Sequence, residues 1–243
     1  MTIPLPTHFS GNGILSLVGS GEYLPKMEPV DRWLLSQLSE PARVVCLATA
    51  AGTEGQARIE YWGNLGTAHF TKLGAASVEA VPVITRSDAE ISGLASRIGS
   101  ANFVYLSGGK PNYLLQTLKD SLVWQAILSV LAKGGIVAGC SAGAMIFGEK
   151  IASSPLNWSL DDGFGLLPSV FIIPHYDEIP GLVKGGLPYV NRSLSLVGID
   201  GNTALVCSSN ECRVIGSGCV TVSTTAGTIR YRCEDADFNL SSE

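Results

Sequence analysis

The sequence predicts an α/β protein, a three-layer α/β/α sandwich whose sheet is mainly parallel with antiparallel C-terminal strands. Three observations carry that expectation. Short apolar runs of strand length alternate with segments of helical apolar spacing through the N-terminal half, as a parallel sheet covered on both faces requires. Near the C-terminus the strands shorten and turn residues separate them closely, which marks antiparallel pairing. The 243 residues are 46% hydrophobic and only 15% charged, with 28 glycines, enough apolar material for a large core and many tight connections. No repeat, linker or low-complexity segment divides the chain, so residues 1–243 read as one domain with residues 1–12 as an irregular lead-in.

Taken in order, residues 13–18 form the first strand, and Gly19-Ser20-Gly21-Glu22-Tyr23 turns out of it as a tight loop lining a cleft. Residues 29–39 have helical spacing at Val30, Trp33, Leu34 and Leu38. A buried strand at 43–48 precedes a long helix at 54–73, a short strand at 77–83 and a helix at 87–98 capped by Ser87. After a strand at 102–106, Gly108-Gly109 opens a helical stretch reaching Ala132, broken near Asp120-Ser121. Residues 151–162, with Trp158 inside, read as loop, and 170–175 as an apolar strand ending in His175. Strands follow at 196–200, 203–208, 211–215 and 219–223, with Asp200-Gly201-Asn202 and Ser209-Asn210 as hairpin turns.

The stretch that organises the chain is Gly139-Cys140-Ser141-Ala142-Gly143. The β-branched pair Ile136-Val137 leads into it, and a helix-prone segment, Ala142 to Phe147, follows. Strand, tight turn and helix with G-x-S-x-G at the turn is the pattern of a nucleophile elbow, whose small neighbours let a strained backbone lift the serine hydroxyl above the sheet. A serine needs a base to attack a carbonyl at neutral pH, and the chain has three histidines. His8 lies in the lead-in and His69 inside a helix, which leaves His175 as the partner of Ser141. Asp161, Asp162, Asp177, Glu178 and Glu149 are all candidates to orient the imidazole. Asp161 or Asp162 is preferred, because a loop between serine and histidine could fold over the ring. The Ala142 N–H and a second N–H at Gly108-Gly109 are candidate oxyanion donors. Gly108, Lys110 and Asn112 are candidate substrate-binding residues.

A net charge of −5 without a Lys/Arg cluster argues against nucleic acid, and no apolar run reaches the ~18 residues of a membrane span. The N-terminus lacks the pattern of a signal peptide, so a cytoplasmic location is expected. Six scattered cysteines without a C-x-x-C pair suggest neither a disulfide framework nor a metal site. Cys46 and Cys140 read as buried free thiols.

These segments together resemble the serine peptidase family of dipeptidase E and cyanophycinase. The resemblance runs through Gly108-Gly109, the elbow, Phe164-Gly165-Leu166-Leu167-Pro168, His175-Tyr176-Asp177, residues 198–205 and residues 214–222. It implies a flavodoxin-like sheet related to class I glutamine amidotransferases and hydrolysis of small peptides next to aspartate. Ser141 would be the nucleophile, His175 its base, and the Gly109 and Ala142 N–H groups the oxyanion hole. No cofactor or metal is implied. The partner expected is a small peptide substrate, with a homodimer left open. The chain departs from cyanophycinases at Ile173-Pro174, where they have Asp-Gln, and at Pro111, where they have Gln. Lys110, Lys184 and Arg192 are the cations at hand for an acidic substrate. The alternatives are a nucleophilic Cys140 of amidotransferase type, or a catalytically idle protein acting in binding or assembly.

Overall fold

The computed structural model describes residues 3, 5, 7–9, 11–152, 160–181, 184, 193–208 and 211–233. Strands β1 (Ile14–Val18), β2 (Arg43–Leu47), β3 (Ser77–Ala80), β4 (Phe103–Leu106) and β5 (Ile136–Cys140) alternate with helices α1 (Glu28–Ser36), α2 (Gln56–Lys72), α3 (Ser92–Gly99), α4 (Pro111–Leu118) and α5 (Leu122–Ala132). The elbow helix α6 (Ala142–Met145) is a single turn, shorter than the expected reach to Phe147. It is followed by β6 (Gly148–Ala152), β7 (Leu160–Asp162), β8 (Leu167–Ile173), β9 (Ser195–Ile199), β10 (Thr203–Ser208), β11 (Glu211–Gly216), β12 (Cys219–Thr224) and β13 (Gly227–Arg232).

A seven-stranded sheet has the order β11-β10-β1-β5-β4-β2-β3. β1, β5, β4, β2 and β3 run parallel, while β10 and β11 pair antiparallel. Side chains alternate across it with period two. Leu15, Leu17, Val104, Leu106 and Val137 face a core shared with α3, α4 and α5. Val18, Cys46, Tyr105, Ala138 and Cys140 face a second core under α1 and α2. Buried on both faces, these strands need no polar alternation, which is why they read as continuous apolar runs.

The remaining strands form a second, six-stranded sheet in the order β13-β12-β9-β8-β6-β7. It packs Leu167, Val170, Ile172, Val197 and Val220 into the same core as α3 to α5. This differs from the expected single sheet in several ways. The stretch read as loop contributes the last two residues of β6 and all of β7, which pair antiparallel, while 153–159, including Trp158, lie outside the described residues. Asp200-Gly201-Asn202 joins β9 to β10 across two sheets and so is no hairpin. Ser209-Asn210 lie outside the described residues, between the paired strands β10 and β11. In that pair Cys207 stands opposite Cys212, and the two form a disulfide, correcting the expectation that the cysteines are unpaired. Cys46, Cys140 and Cys219 are free thiols and, like Cys233, are buried.

Two local signals also resolve. The helix expected at 87–98 splits into a 3₁₀ turn, Asp88–Glu90, and α3. Ser87 makes no capping bond; the Asp88 carboxylate accepts the N–H groups of Ile84 (3.0 Å) and Thr85 (2.7 Å) instead. The break before α5 is set by Asp120 at φ 56 and by the Ser121 hydroxyl, which caps α5 by accepting the Trp124 N–H at 3.0 Å. Among the described residues no helix is long and apolar enough to cross a membrane.

Candidate active site

Because β1, β5 and β4 are parallel neighbours, the loops that leave them meet at one edge of the sheet, where ligands of open α/β sheets bind. Ser141 stands at this edge, directly after β5, with φ 51 and ψ −110. That backbone is strained for a residue with a side chain, at a cost of roughly 1–3 kcal/mol. Its N–H donates to the Val18 carbonyl at 2.9 Å, which pins the turn to the end of β1. Both glycines of the motif are required by close approach. A Cβ at Gly139 would lie 2.3 Å from the Gly143 carbonyl oxygen, and one at Gly143 2.5 Å from that of Leu106.

His175 reaches the serine from the other sheet, just past the end of β8. Its backbone is left-handed, φ 51 and ψ 35, which turns the ring back toward β5. Nε2 lies 3.1 Å from the Ser141 Oγ, and Nδ1 lies 3.1 Å from Glu178 Oε1. With Nδ1–H donating to that carboxylate, Nε2 is the nitrogen that accepts from the serine hydroxyl. Glu178 was one of several acids legible in the sequence; the preferred Asp161 is not in this contact. Asp161 lies exposed on β7, the sheet's edge strand, with β6 standing between it and β8. Asp162 pairs with Lys150, whose ammonium lowers its carboxyl from the ordinary value. Asp177 accepts the Gly201 N–H at 2.7 Å and so ties the His175 turn to the loop after β9. His69, the histidine of helix α2, is buried with Nε2 2.7 Å from Asp31 Oδ2.

At the end of β4, Gly109 has φ +144, and a Cβ there would lie 2.5 Å from the Ala50 carbonyl oxygen, so only glycine fits. The N–H groups of Gly109 and Ala142 donate to no described backbone or side-chain group, whereas the Gly108 N–H donates to Glu22 Oε1 at 3.0 Å. Lys110 is exposed at the start of α4, its N–H held by the Ala50 carbonyl at 2.9 Å. Asn112 is half-buried in the first turn of α4. Lys184 lies over the Tyr176 ring, 4.7 Å from its centroid, and Arg192 is outside the described residues.

Cys140 is fully buried, faces the core under α1 and α2, and donates its thiol proton to Glu22 Oε2 at 2.8 Å. Burial first, and then the charge of Glu22, push this thiol well above its ordinary range. It is therefore unsuited to be the nucleophile. Glu22, in the loop after β1, is the residue the sequence reading missed; its place in a strand-end loop was the available signal. Among the described residues no group of three or more His, Cys, Asp or Glu could hold a metal.

A serine on a strained strand-to-helix turn, an imidazole at its hydroxyl and a carboxylate at the imidazole, on an α/β sheet, are the arrangement found in serine hydrolases. The chain belongs to peptidase family S51, whose sequence model matches residues 15–215. It is 28% identical over 166 residues to a cyanophycinase of Trichormus variabilis, covering 63% of this chain and 55% of that protein. It is 31% identical over 144 residues to an uncharacterized peptidase of Listeria innocua, covering 56% and 66%. The chain thus spans about half the length of the cyanophycinase it matches, 55%. The crystal structure of a peptidase from an acI-B1 Actinobacterium is similar with a TM-score of 0.81 and 31% identity, over 92% of this chain and 96% of that one. A putative peptidase E of Listeria monocytogenes EGD-e shares the fold, with a TM-score of 0.60 and 21% identity over 84% and 98% of the two chains.

Proposed function

We propose that the protein cleaves a small peptide through an acyl-enzyme formed on Ser141. The observation that carries this reading is the 3.1 Å approach of His175 Nε2 to a serine hydroxyl on a strained turn. His175 takes the hydroxyl proton as Oγ attacks the scissile carbonyl, and the unengaged Gly109 and Ala142 N–H groups receive the oxyanion. As the tetrahedral species collapses, the imidazolium gives that proton to the leaving amine. A water, deprotonated by the same ring, then hydrolyses the ester and restores the serine. Glu178 holds the imidazole in the tautomer that presents Nε2 to Ser141.

For the substrate, the family and the cyanophycinase relative support a peptide with an aspartyl residue at the cleaved bond. Lys110, beside the proposed oxyanion donor, supplies a cation for its carboxylate. Ser141→Ala is expected to abolish both hydrolysis of Asp-Xaa or β-Asp-Xaa dipeptides and labelling by a fluorophosphonate, with an unchanged circular dichroism spectrum. Peptide mapping of labelled protein should place the adduct on residue 141. An adduct elsewhere, or full activity in Ser141→Ala, rejects the assignment.

A further inference from the structure

We propose that Glu22 is a positioning residue that clamps the oxyanion loop onto the elbow; this rests on the reading of Ser141 given above. The strand order puts β1 and β4 on either side of β5, so the loops after β1 and β4 flank the elbow from opposite sides. Glu22, from the first of these loops, bridges to both other strand ends. One carboxylate oxygen accepts the Gly108 N–H at 3.0 Å and the other accepts the Cys140 thiol at 2.8 Å. The next residue repeats the connection, with Tyr23 Oη 2.9 Å from Ser107 Oγ in a buried contact. Two consecutive side chains of one loop thus hold two consecutive residues of the other.

The packing shows how closely this bears on the reaction. A Cβ on Gly108 would lie 2.8 Å from Glu22 Oε1 and 3.3 Å from the Ser141 Cβ. Carboxylate, glycine and serine are therefore in contact with no room for a side chain between them. Fixing the Gly108 N–H on Glu22 fixes the Ser107–Gly108 peptide plane, and the Lys110 N–H on the Ala50 carbonyl (2.9 Å) fixes the Gly109–Lys110 plane, so the intervening plane that carries the Gly109 N–H is held from both sides. The Gly109 N–H, left without a partner at φ +144, is then held where the oxyanion forms. The clamp also explains Cys140 at the variable position of the motif: its only proton is committed to Glu22, so the thiol is a tie rather than a reactant. Preorganised donors of this kind cost no reorganisation at the moment of reaction.

The experiment compares Glu22→Gln and Glu22→Ala with wild type by fluorophosphonate inactivation, separating the limiting rate from the concentration at half-rate. Amide exchange at Gly108 is followed by NMR in the same proteins. Gln keeps an acceptor for the Gly108 N–H and can turn its NH₂ toward the Cys140 sulfur. Glu22→Gln should hold the limiting rate within about threefold and keep Gly108 protected. Glu22→Ala should lower the limiting rate about ten- to a hundredfold, somewhat less than the loss of an entire oxyanion donor, with the half-rate concentration unchanged and Gly108 exchanging faster. Equal losses in both variants would point to a charge-dependent role and overturn the clamp, as would a wild-type rate in Glu22→Ala. A wild-type protein that takes no label would count against Ser141 instead. In that case unaltered exchange of Gly108 in Glu22→Ala would still overturn the clamp by itself.

Discussion

Glu178 meets the imidazole because His175 adopts a left-handed backbone and the 3₁₀ turn Tyr176–Glu178 follows at once. That turn brings the side chain three positions on back to Nδ1, whereas Asp177, one residue earlier, points to the Gly201 N–H. The pair is open to solvent, with 41% of the histidine and 66% of the glutamate side chain exposed, so its Coulombic part is weak. In the proposed mechanism its work is to hold the ring and its tautomer. Glu178→Gln should therefore slow fluorophosphonate labelling about tenfold, well short of the ~10⁴ lost when a buried triad carboxylate is neutralised. Asp161→Asn should leave the rate within about twofold, and a larger loss there than at Glu178 would reverse the assignment. The meeting of Ser141 and His175 was legible in the chain because the elbow pattern is short-range chemistry and only three histidines compete to face it. The acid was not, since several carboxylates lie in the two nearby segments and the choice rests on a single φ at residue 175. Glu22 was hidden for a similar reason: its contacts reach 86 and 118 residues along the chain.

At the scale of the element, the elbow is a steric object before it is a chemical one. A methyl group at Gly139 meets the Gly143 carbonyl oxygen at 2.3 Å and its carbon at 2.4 Å, so β5 and α6 must separate to admit it. Gly139→Ala should lower stability by about 1–3 kcal/mol or more, read from a denaturant melt, and suppress labelling of Ser141 by displacing the turn. Gly93 in α3 has open space around its would-be Cβ, so Gly93→Ala should instead stabilise the protein by about 0.5–1 kcal/mol with labelling unaffected. The inner parallel strands β1, β2, β4 and β5 were legible because burial on both faces leaves nearly uninterrupted apolar runs. The second sheet was not, because short strands declare their length and not their partners. Asp200-Gly201-Asn202 has hairpin chemistry, yet β9 and β10 leave it for different sheets. β13, largely exposed, lacks a buried face to give it a period. The Cys207–Cys212 bond likewise follows from the register of β10 and β11 rather than from any spacing motif.

At the scale of the whole molecule, the proposed reactive pair is split between the two sheets: Ser141 follows β5 of one and His175 follows β8 of the other. Among the described residues no strand pairing joins those sheets, so packing in their shared core acts with a few local bonds, such as Leu167 N–H to the Phe147 carbonyl at 3.0 Å, to set the 3.1 Å separation of Oγ and Nε2. Trp124 of α5 adds to that junction, stacking on Phe164 with 3.7 Å between ring centroids just ahead of β8. Ile172 is fully buried in this core, three residues before the histidine, and Ile98 is equally buried in it at the end of α3. Ile98 precedes β4, at the sheet edge opposite the strand ends that carry the site. Each substitution, Ile172→Ala or Ile98→Ala, removes the same atoms and should destabilise by about 2–5 kcal/mol. Their effects on the reaction should differ, because a displacement of about 1 Å in a reacting group can slow it about a hundredfold. Measured where both variants remain folded, labelling should fall tenfold or more in Ile172→Ala and stay within about twofold in Ile98→Ala. Equal rates in the two would mean that the chain after β8, through Asp177 on Gly201, places the histidine without help from the sheet beneath it.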